Sequence, residues 1–449
     1  MTQKSFIDNE ALAAHYPLHV DELRKRHDIA LENAGASHAV IFSGAPQLIF
    51  LDDYHYPFKA NPHFVSWLPL TTMPFCYLVY SPGEKPILVY FQEQDYWHSP
   101  ATDPSGYWTA SFDVRVVHDF DDVAANLPGN RSDCIFIGEV HDEAHAFGIE
   151  RVNPTTAMNT LHFARGIKTG YEIECMRQSS LRAAHGHVAA EKAFRDGKSE
   201  FDIHLSYCRA VDHTDYELPY SNIVALNKNG AVLHYQNLQR EVPKEPRSFL
   251  LDAGAQVHRY ASDITRTHAF RKGEFADLVT DFDQLQRDLV AEVKTGVDYA
   301  DLHLSAHRKI GGYLNRHGFA TGSEDALVDQ GVTSAFFPHG LGHLLGLQVH
   351  DVGGFMADDS GSTVERPSEH PFLRLTRLLQ TDMVLTIEPG IYVIDMLLKK
   401  LEGTPGHAMV NQDRVDMLRP CGGIRIEDDV RVLDGGSENL TRDAFASIP

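Results

Sequence analysis

The sequence predicts an α+β protein of two domains: a smaller N-terminal α/β domain over residues 1–163 and a larger domain over 164–449 whose sheet is largely antiparallel. Three observations carry this. A chain of 449 residues is too long for one ordinary hydrophobic core. Its first part interleaves short β-branched and aromatic runs with helical stretches. Its second part has strands in runs and helices in runs, the pattern of an α+β domain.

Composition narrows the class of protein. Hydrophobic residues make up 43% and charged residues 23%, the balance of a soluble globular chain. A formal charge of −22 repels polyphosphate and anionic lipid, so nucleic-acid and membrane partners are not expected. The five cysteines are odd in number, widely spaced and form no Cys-x-x-Cys pair, which suits reduced thiols. MTQKSFIDNE has no apolar run for a signal peptide, and no stretch of about 18 apolar residues follows. A cytoplasmic location is expected.

From Glu10 to about Asn33 apolar residues recur at helical spacing, with Gly35 as a stop. Strand signals follow at 39–43, 76–80, 86–91, 114–118 and 134–138. Between the first two lies LDDYHYPFKANPHFVSWLP (51–69), too long for a tight turn and too aromatic for a flexible linker. His141 and His145 in HDEAH have zinc-helix spacing, but Asp142 stands where the HExxH motif needs its Glu; a solvated helix start is expected there. The larger domain opens with a capping box, Thr169 with Glu172, on a long helix closed by Gly197, and Ser199 begins another. Helices are expected at about 274–294 and 299–317, and strands at 248–254, 259–270, 383–390 and 423–433. There is no internal repeat and no low-complexity segment.

Chemistry collects in the second half. Asp252 and Asp263 lie on strands joined by a short connection around Val257 and His258, so a regular hairpin would make them cross-strand partners. Opposed like charges are destabilising unless a cation lies between them. Glu388 ends an apolar strand, and alternation puts Arg425, Glu427 and Asp429 on one face of GIRIEDDVRVL. The stretch FFPHGLGHLLGLQVHDVGG (336–354) sets His339, His343 and His350 among glycines and aliphatic residues. Convergence of all three requires a bend near Gly346. Leu345 stands where a dinucleotide fingerprint needs its third glycine, which removes that reading.

Four segments, LLDAGAQVHRYASDITRT, FPHGLGHLLGLQVHD, LTIEPGIY and GGIRIEDD, together resemble the signature of the prolidase and methionine aminopeptidase family, the pita-bread metallopeptidases. The first half resembles the creatinase-like N-terminal domain of the prolidase branch, and LDDYHYPFK resembles the bacterial prolidases also called organophosphorus acid anhydrolases. The resemblance implies a C-terminal pita-bread (creatinase/aminopeptidase-like) domain and a dinuclear-metal Xaa-Pro dipeptidase. It implies Asp252, Asp263, His343, Glu388 and Glu427 as metal ligands, with Asp263 and Glu427 bridging and Glu388 also moving the proton. Charge agrees: four carboxylates balance two divalent cations. Oxygen-rich ligation favours Mn²⁺, with Co²⁺ or Zn²⁺ as alternatives. Two such ions can share one water, lower its pKa and stabilise an oxyanion.

By the same resemblance His234, His339 and His350 would bind substrate or donate to the oxyanion, and Arg374 would hold the substrate carboxylate; Arg425, beside the bridging Glu427, is either a catalytic and substrate-binding group or a structural salt-bridge partner. Tyr220, Leu233, Val349, Tyr299 and Leu373 match pocket positions, and Asp53 matches a residue contributed by a neighbouring subunit, implying a homodimer. Alternatives are phosphotriester hydrolysis at the same site and an Xaa-Pro aminopeptidase. A binding module that reuses the fold is disfavoured because no ligand type is missing, and methionine aminopeptidase by the N-terminal domain and Arg374.

Overall fold

A computed structural model describes residues 6–97, 99, 101–139 and 141–448. The chain forms two compact units, one of residues up to Cys175 with Asp358–Ser362, the other of Met176–Ala357 with the remainder from Thr363.

In the first unit the helix Asn9–Ala34 starts at Asp8, whose side chain accepts from the N–H groups of Glu10 and Ala11. It stops at Gly35, which takes the left-handed conformation at φ 57°. The strands β1 (His38–Phe42), β2 (Tyr77–Tyr80), β3 (Ile87–Phe91), β4 (Asp113–Val117) and β5 (Cys134–Ile137) form one mixed sheet in the order β4-β3-β2-β1-β5. Both faces of β2 and β5 are buried, which explains their unbroken apolar runs. The aromatic segment is not a plain loop: Asn61 caps a short helix, Pro62–Trp67, that anchors its second half. Its first half leaves Leu51, Tyr54 and Tyr56 exposed around Asp53, with exposed Phe50 just before it. The HDEAH segment is a helix, His141–Ala146, with His145 3.4 Å from Glu150; the side chain of His141 lies outside the described residues.

In the second unit β6 (Ile223–Leu226), β7 (Ser248–Asp252) and a later strand, β10 (Thr265–Ala269), form an antiparallel sheet in the order β10-β7-β6. Between them β8 (Gln256–Val257) and β9 (Tyr260–Ala261) make a minimal hairpin. The remaining strands are β11 (Val384–Ile387), β12 (Gly390–Tyr392), β13 (Gly423–Arg425), β14 (Asp428–Leu433) and β15 (Gly436–Asn439). The helices Glu200–Val211, Glu274–Val290 and Tyr299–Arg316 accompany these sheets. Ser199 caps the helix Glu200–Val211, and at the end of the first unit the capping box forms, with Thr169 N–H donating to Glu172 at 2.8 Å. All five cysteines are free thiols. No helix among the described residues is long and apolar enough to cross a membrane.

Two strand expectations are corrected. The hairpin turns at His258 and Arg259, both at positive φ (50° and 70°), the backbone of a type I′ turn. The register therefore pairs Asp252 with Thr265 and makes Asp263 its diagonal neighbour rather than its direct partner. Equidistance misplaced the centre because neither His nor Arg advertises positive φ. The expected strand 423–433 is two strands, β13 on β12 and β14 on β11. Opposite its break sits Pro389, which has no N–H to continue the ladder.

Candidate metal centre

One transverse row of backbone pairings assembles the site. Asp252 is opposite Thr265 across β7 and β10. Thr265 in turn bridges to Glu427, with Glu427 N–H donating to Thr265 O at 3.1 Å. The β11–β14 and β12–β13 ladders share one register, Ile387 opposite Asp428 and Gly390 opposite Arg425, so Glu388 falls opposite Glu427. The histidine-rich stretch runs beside the outer edge of β11: Glu388 N–H reaches Leu341 O at 2.8 Å, and Leu344 bridges Leu385. This close approach needs Gly342, where a Cβ would lie 2.0 Å from Thr386 O. Gly254 has the same role beside Asp252, its Cβ position lying 2.0 Å from Ser262 O.

His343 faces the carboxylates from that stretch. Its Nδ1 donates to Leu344 O at 3.0 Å, which turns Nε2 toward the carboxylates, 3.4 Å from Asp263 Oδ2 and 3.7 Å from Glu388 Oε1. A ring fixed in this way by a backbone carbonyl is the usual arrangement of a metal-binding histidine. Asp263, His343 and Glu427 each offer a ligand atom within 4.8 Å of the others. The chain then reverses, Asp351 N–H donating to Leu344 O at 2.9 Å, and His350 returns edge-on to His343 with ring centres 4.3 Å apart.

Arg425 is buried behind this cluster and ties it together. It donates to Asp252 Oδ2 at 2.7 Å, to Tyr392 Oη at 3.0 Å and to Thr265 Oγ1 at 3.2 Å. The Thr265 hydroxyl in turn donates a hydrogen bond to Glu427 Oε2 at 2.6 Å. The Tyr392 hydroxyl, 2.8 Å from His339 Nε2, is left to donate there, because His339 Nδ1 gives its proton to Gly340 O at 2.8 Å. Tyr220 caps Asp263 Oδ1 at 2.6 Å. Asp252 Oδ1, by contrast, is buried with no hydrogen-bond partner among the described residues.

The electrostatics are those of a site built around cations. Burial, reinforced by Asp263 and Asp252 and opposed by His343 and Arg425, pushes Glu388 up to about 7. Burial and the neighbouring carboxylates raise Glu427 well above the usual range, and burial raises Asp252 despite Arg425. Asp263 is buried as well, but His343 and the Tyr220 hydroxyl hold it below the usual range. Four carboxylates cannot all ionise here on one guanidinium, and divalent cations are what four carboxylates and one imidazole suit. The orphaned Asp252 oxygen and the aimed His343 nitrogen fit such ions.

The other expected positions spread around this core. Tyr220, Leu233 and Val349 are half-buried, and His234, His350 and Arg374 are exposed. Partial burial, His343 and Arg374 hold His350 down to about 4. Tyr299 has no exposed surface and donates to Thr386 O at 3.0 Å, so it packs behind the strand. Leu373 lines a cavity of about 230 Å³ together with His339, Phe337 and His370. Asp53 belongs to the first unit. Thr265 and Tyr392 were not singled out in the sequence, although both lie inside the quoted motifs; their roles depend on register.

Comparison with known proteins shows the family and the fold. The family model described as Xaa-Pro dipeptidase, N-terminal domain, matches residues 14–163, and that of metallopeptidase family M24 matches 174–434. Proteins named Xaa-Pro dipeptidase from Shewanella baltica and Shewanella oneidensis are 47% and 48% identical, covering 97% and 96% of this chain and 99% and 98% of theirs. Zinc-substituted Escherichia coli aminopeptidase P in complex with product shares the fold, with a TM-score of 0.70 at 23% identity over 95% of each chain. The same aminopeptidase with the inhibitor Pro-Leu gives 0.71 at 23% identity, again over 95% of each chain. Fold and site thus define a metal-dependent hydrolase with the pita-bread catalytic domain. The chain belongs to metallopeptidase family M24, in its prolidase branch.

Proposed function

We propose that this chain is a dinuclear-metal Xaa-Pro dipeptidase that hydrolyses dipeptides ending in proline. The observation that carries the reading is the convergence of Asp252, Asp263, Glu388, Glu427 and His343 in one largely buried cluster whose four carboxylates two divalent cations would balance. The near-full-length identity to Xaa-Pro dipeptidases supplies the substrate class.

In this reading those five residues hold two divalent ions, Mn²⁺ by preference for oxygen-rich ligation, with Co²⁺ or Zn²⁺ as substitutes. The ions would lower the pKa of a water held between them and polarise the scissile carbonyl. Glu388 takes the proton of the attacking water and delivers it to the leaving nitrogen. That delivery is indispensable, because an Xaa-Pro bond is a tertiary amide with no N–H of its own. His234 and His350, on the exposed side, donate to the substrate, while Tyr392 and Arg425 hold His339 and Asp252 in place. Arg374 clamps the terminal carboxylate, which favours dipeptides over longer chains. The exposed aromatic tip around Asp53 is read as the contact with a second copy in a homodimer. The enzyme would work in the cytoplasm.

The test is a reconstituted assay on Xaa-Pro dipeptides, longer Xaa-Pro peptides and one fluorinated phosphotriester. The highest kcat/KM is expected on the dipeptides, with the phosphotriester a side reaction. Equal or better cleavage of longer peptides would make this an aminopeptidase, and no peptide cleavage would remove the reading.

A further inference from the structure

We propose that the chain carries a second, nitrogen-rich metal site, formed by His303, His307 and His370, that takes one borderline divalent ion of the zinc class. His303 and His307 lie four residues apart on the helix Tyr299–Arg316, so their rings rise from one face a turn apart. His370 comes from the connection that leads into Leu373 and Arg374. One ring nitrogen from each of the three lies within 4.8 Å of the others. Ring centres are 4.7 Å apart for His303 and His307, 4.5 Å for His303 and His370, and 4.4 Å for His307 and His370.

These are not histidines satisfied by the protein around them. His303 and His307 are 1% exposed and His370 is 9% exposed. Neither ring nitrogen of His303, nor Nε2 of His307, has a hydrogen-bond partner among the described residues. Leaving such buried nitrogens unpaired is costly, and an aromatic hydrocarbon would fill the same space without that cost. His307 Nδ1 lies 2.9 Å from Thr333 Oγ1; donation there leaves Nε2 with its lone pair toward the cluster, as an outer partner does for a metal-binding histidine. Burial, with the neighbouring rings, keeps His303 and His307 neutral, the form that binds metal.

The donor set selects the ion. Three imidazoles suit Zn²⁺, Co²⁺, Ni²⁺ or Cu²⁺ far better than Mn²⁺, the reverse of the carboxylate cluster. Zinc–nitrogen bonds of about 2.0–2.1 Å place tetrahedral nitrogens roughly 3.3 Å apart, which small side-chain rotations of these rings can reach. His370 also lines the cavity of about 230 Å³, giving the ion an entry path and a place for an exchangeable fourth ligand. Bound there, it would tie the connection carrying Leu373 and Arg374 to the helix.

The Mn²⁺-loaded enzyme, crystallised with Zn²⁺, tests this by anomalous difference maps on either side of the zinc edge. A zinc-specific peak bonded to nitrogens of His303, His307 and His370 is expected. Zinc at the carboxylate cluster alone, or no zinc, overturns the proposal. In parallel, Mn²⁺-saturated protein dialysed against Zn²⁺ should retain one more zinc per chain than His370→Gln or His307→Gln by mass spectrometry. Equal zinc content in all three would also overturn it.

Discussion

Glu388 and Glu427 stand opposite each other in one continuous antiparallel register, although each occupies the gap where its strand is interrupted. The interruption frees both side chains from a regular pleat, and the shared register keeps them in line with Thr265 and Asp252. Backbone pairing therefore sets the spacing of the carboxylates.

A consequence for stability follows from Glu388, held up to about 7. A raised folded pKa means the folded protein binds this proton more tightly than the unfolded chain. The stabilisation is complete below the ordinary carboxylate value and is lost as pH rises through about 7. In chelated protein Glu388→Gln should thus be near neutral at low pH and raise Tm above pH 8, where it recovers on the order of 2–3 kcal/mol of unfolding free energy. In Mn²⁺-saturated protein the same substitution should lower Tm. Thermal melts at both pH values check this; a pH-independent effect in chelated protein would contradict it.

Arg425 orients two of the carboxylates through one planar fork. Arg425→Ala should weaken metal binding by about 10–100-fold, the usual cost of losing a partner that orients a ligand. Arg425→Lys should recover only part of the loss, since an ammonium cannot reach Asp252, Thr265 and Tyr392 together. Metal titration by calorimetry reads both. Full recovery by lysine would show that charge alone matters.

Tyr392→Phe removes the hydroxyl between Arg425 and His339 without removing bulk. The ring of His339 then loses the donor to its Nε2, while Nδ1 keeps its bond to Gly340 O. A fall in kcat of about tenfold is expected, with KM little changed, as for a group that acts on the reacting state rather than on binding. Steady-state kinetics decide it, and a rise in KM alone would place Tyr392 in substrate binding instead.

Much of the fold was legible because it rests on local chemistry. The buried strands of the first unit are unbroken apolar runs, and Thr169 with Glu172 announces a helix start that the backbone forms. The ligand candidates were legible from motif resemblance, but the way they meet was not. That depends on a positive-φ turn at His258 and Arg259, residues that seldom mark one, and on Pro389 splitting a ladder from the opposite strand. Thr265 and Tyr392 acquire their roles only once the register is fixed. His370 is far along the chain from His303 and His307, so no spacing rule could have joined them.

Arg374 is exposed and acts electrostatically on His350. Arg374→Ala should lower kcat/KM for Xaa-Pro dipeptides by about 100-fold, the scale of a lost charge-assisted hydrogen bond. A neutral phosphotriester, with no carboxylate to clamp, should be affected far less. Paired kinetics on the two substrates separate the cases, and equal losses would remove Arg374 from the clamp.

The most direct test of the central claim is a titration of chelated enzyme with Mn²⁺, following bound metal and hydrolysis of one Xaa-Pro dipeptide in the same samples. Activity should be absent without metal and reach its plateau at two equivalents per chain. Full activity in metal-free protein, or a plateau at one equivalent, would contradict a dinuclear centre built from Asp252, Asp263, His343, Glu388 and Glu427.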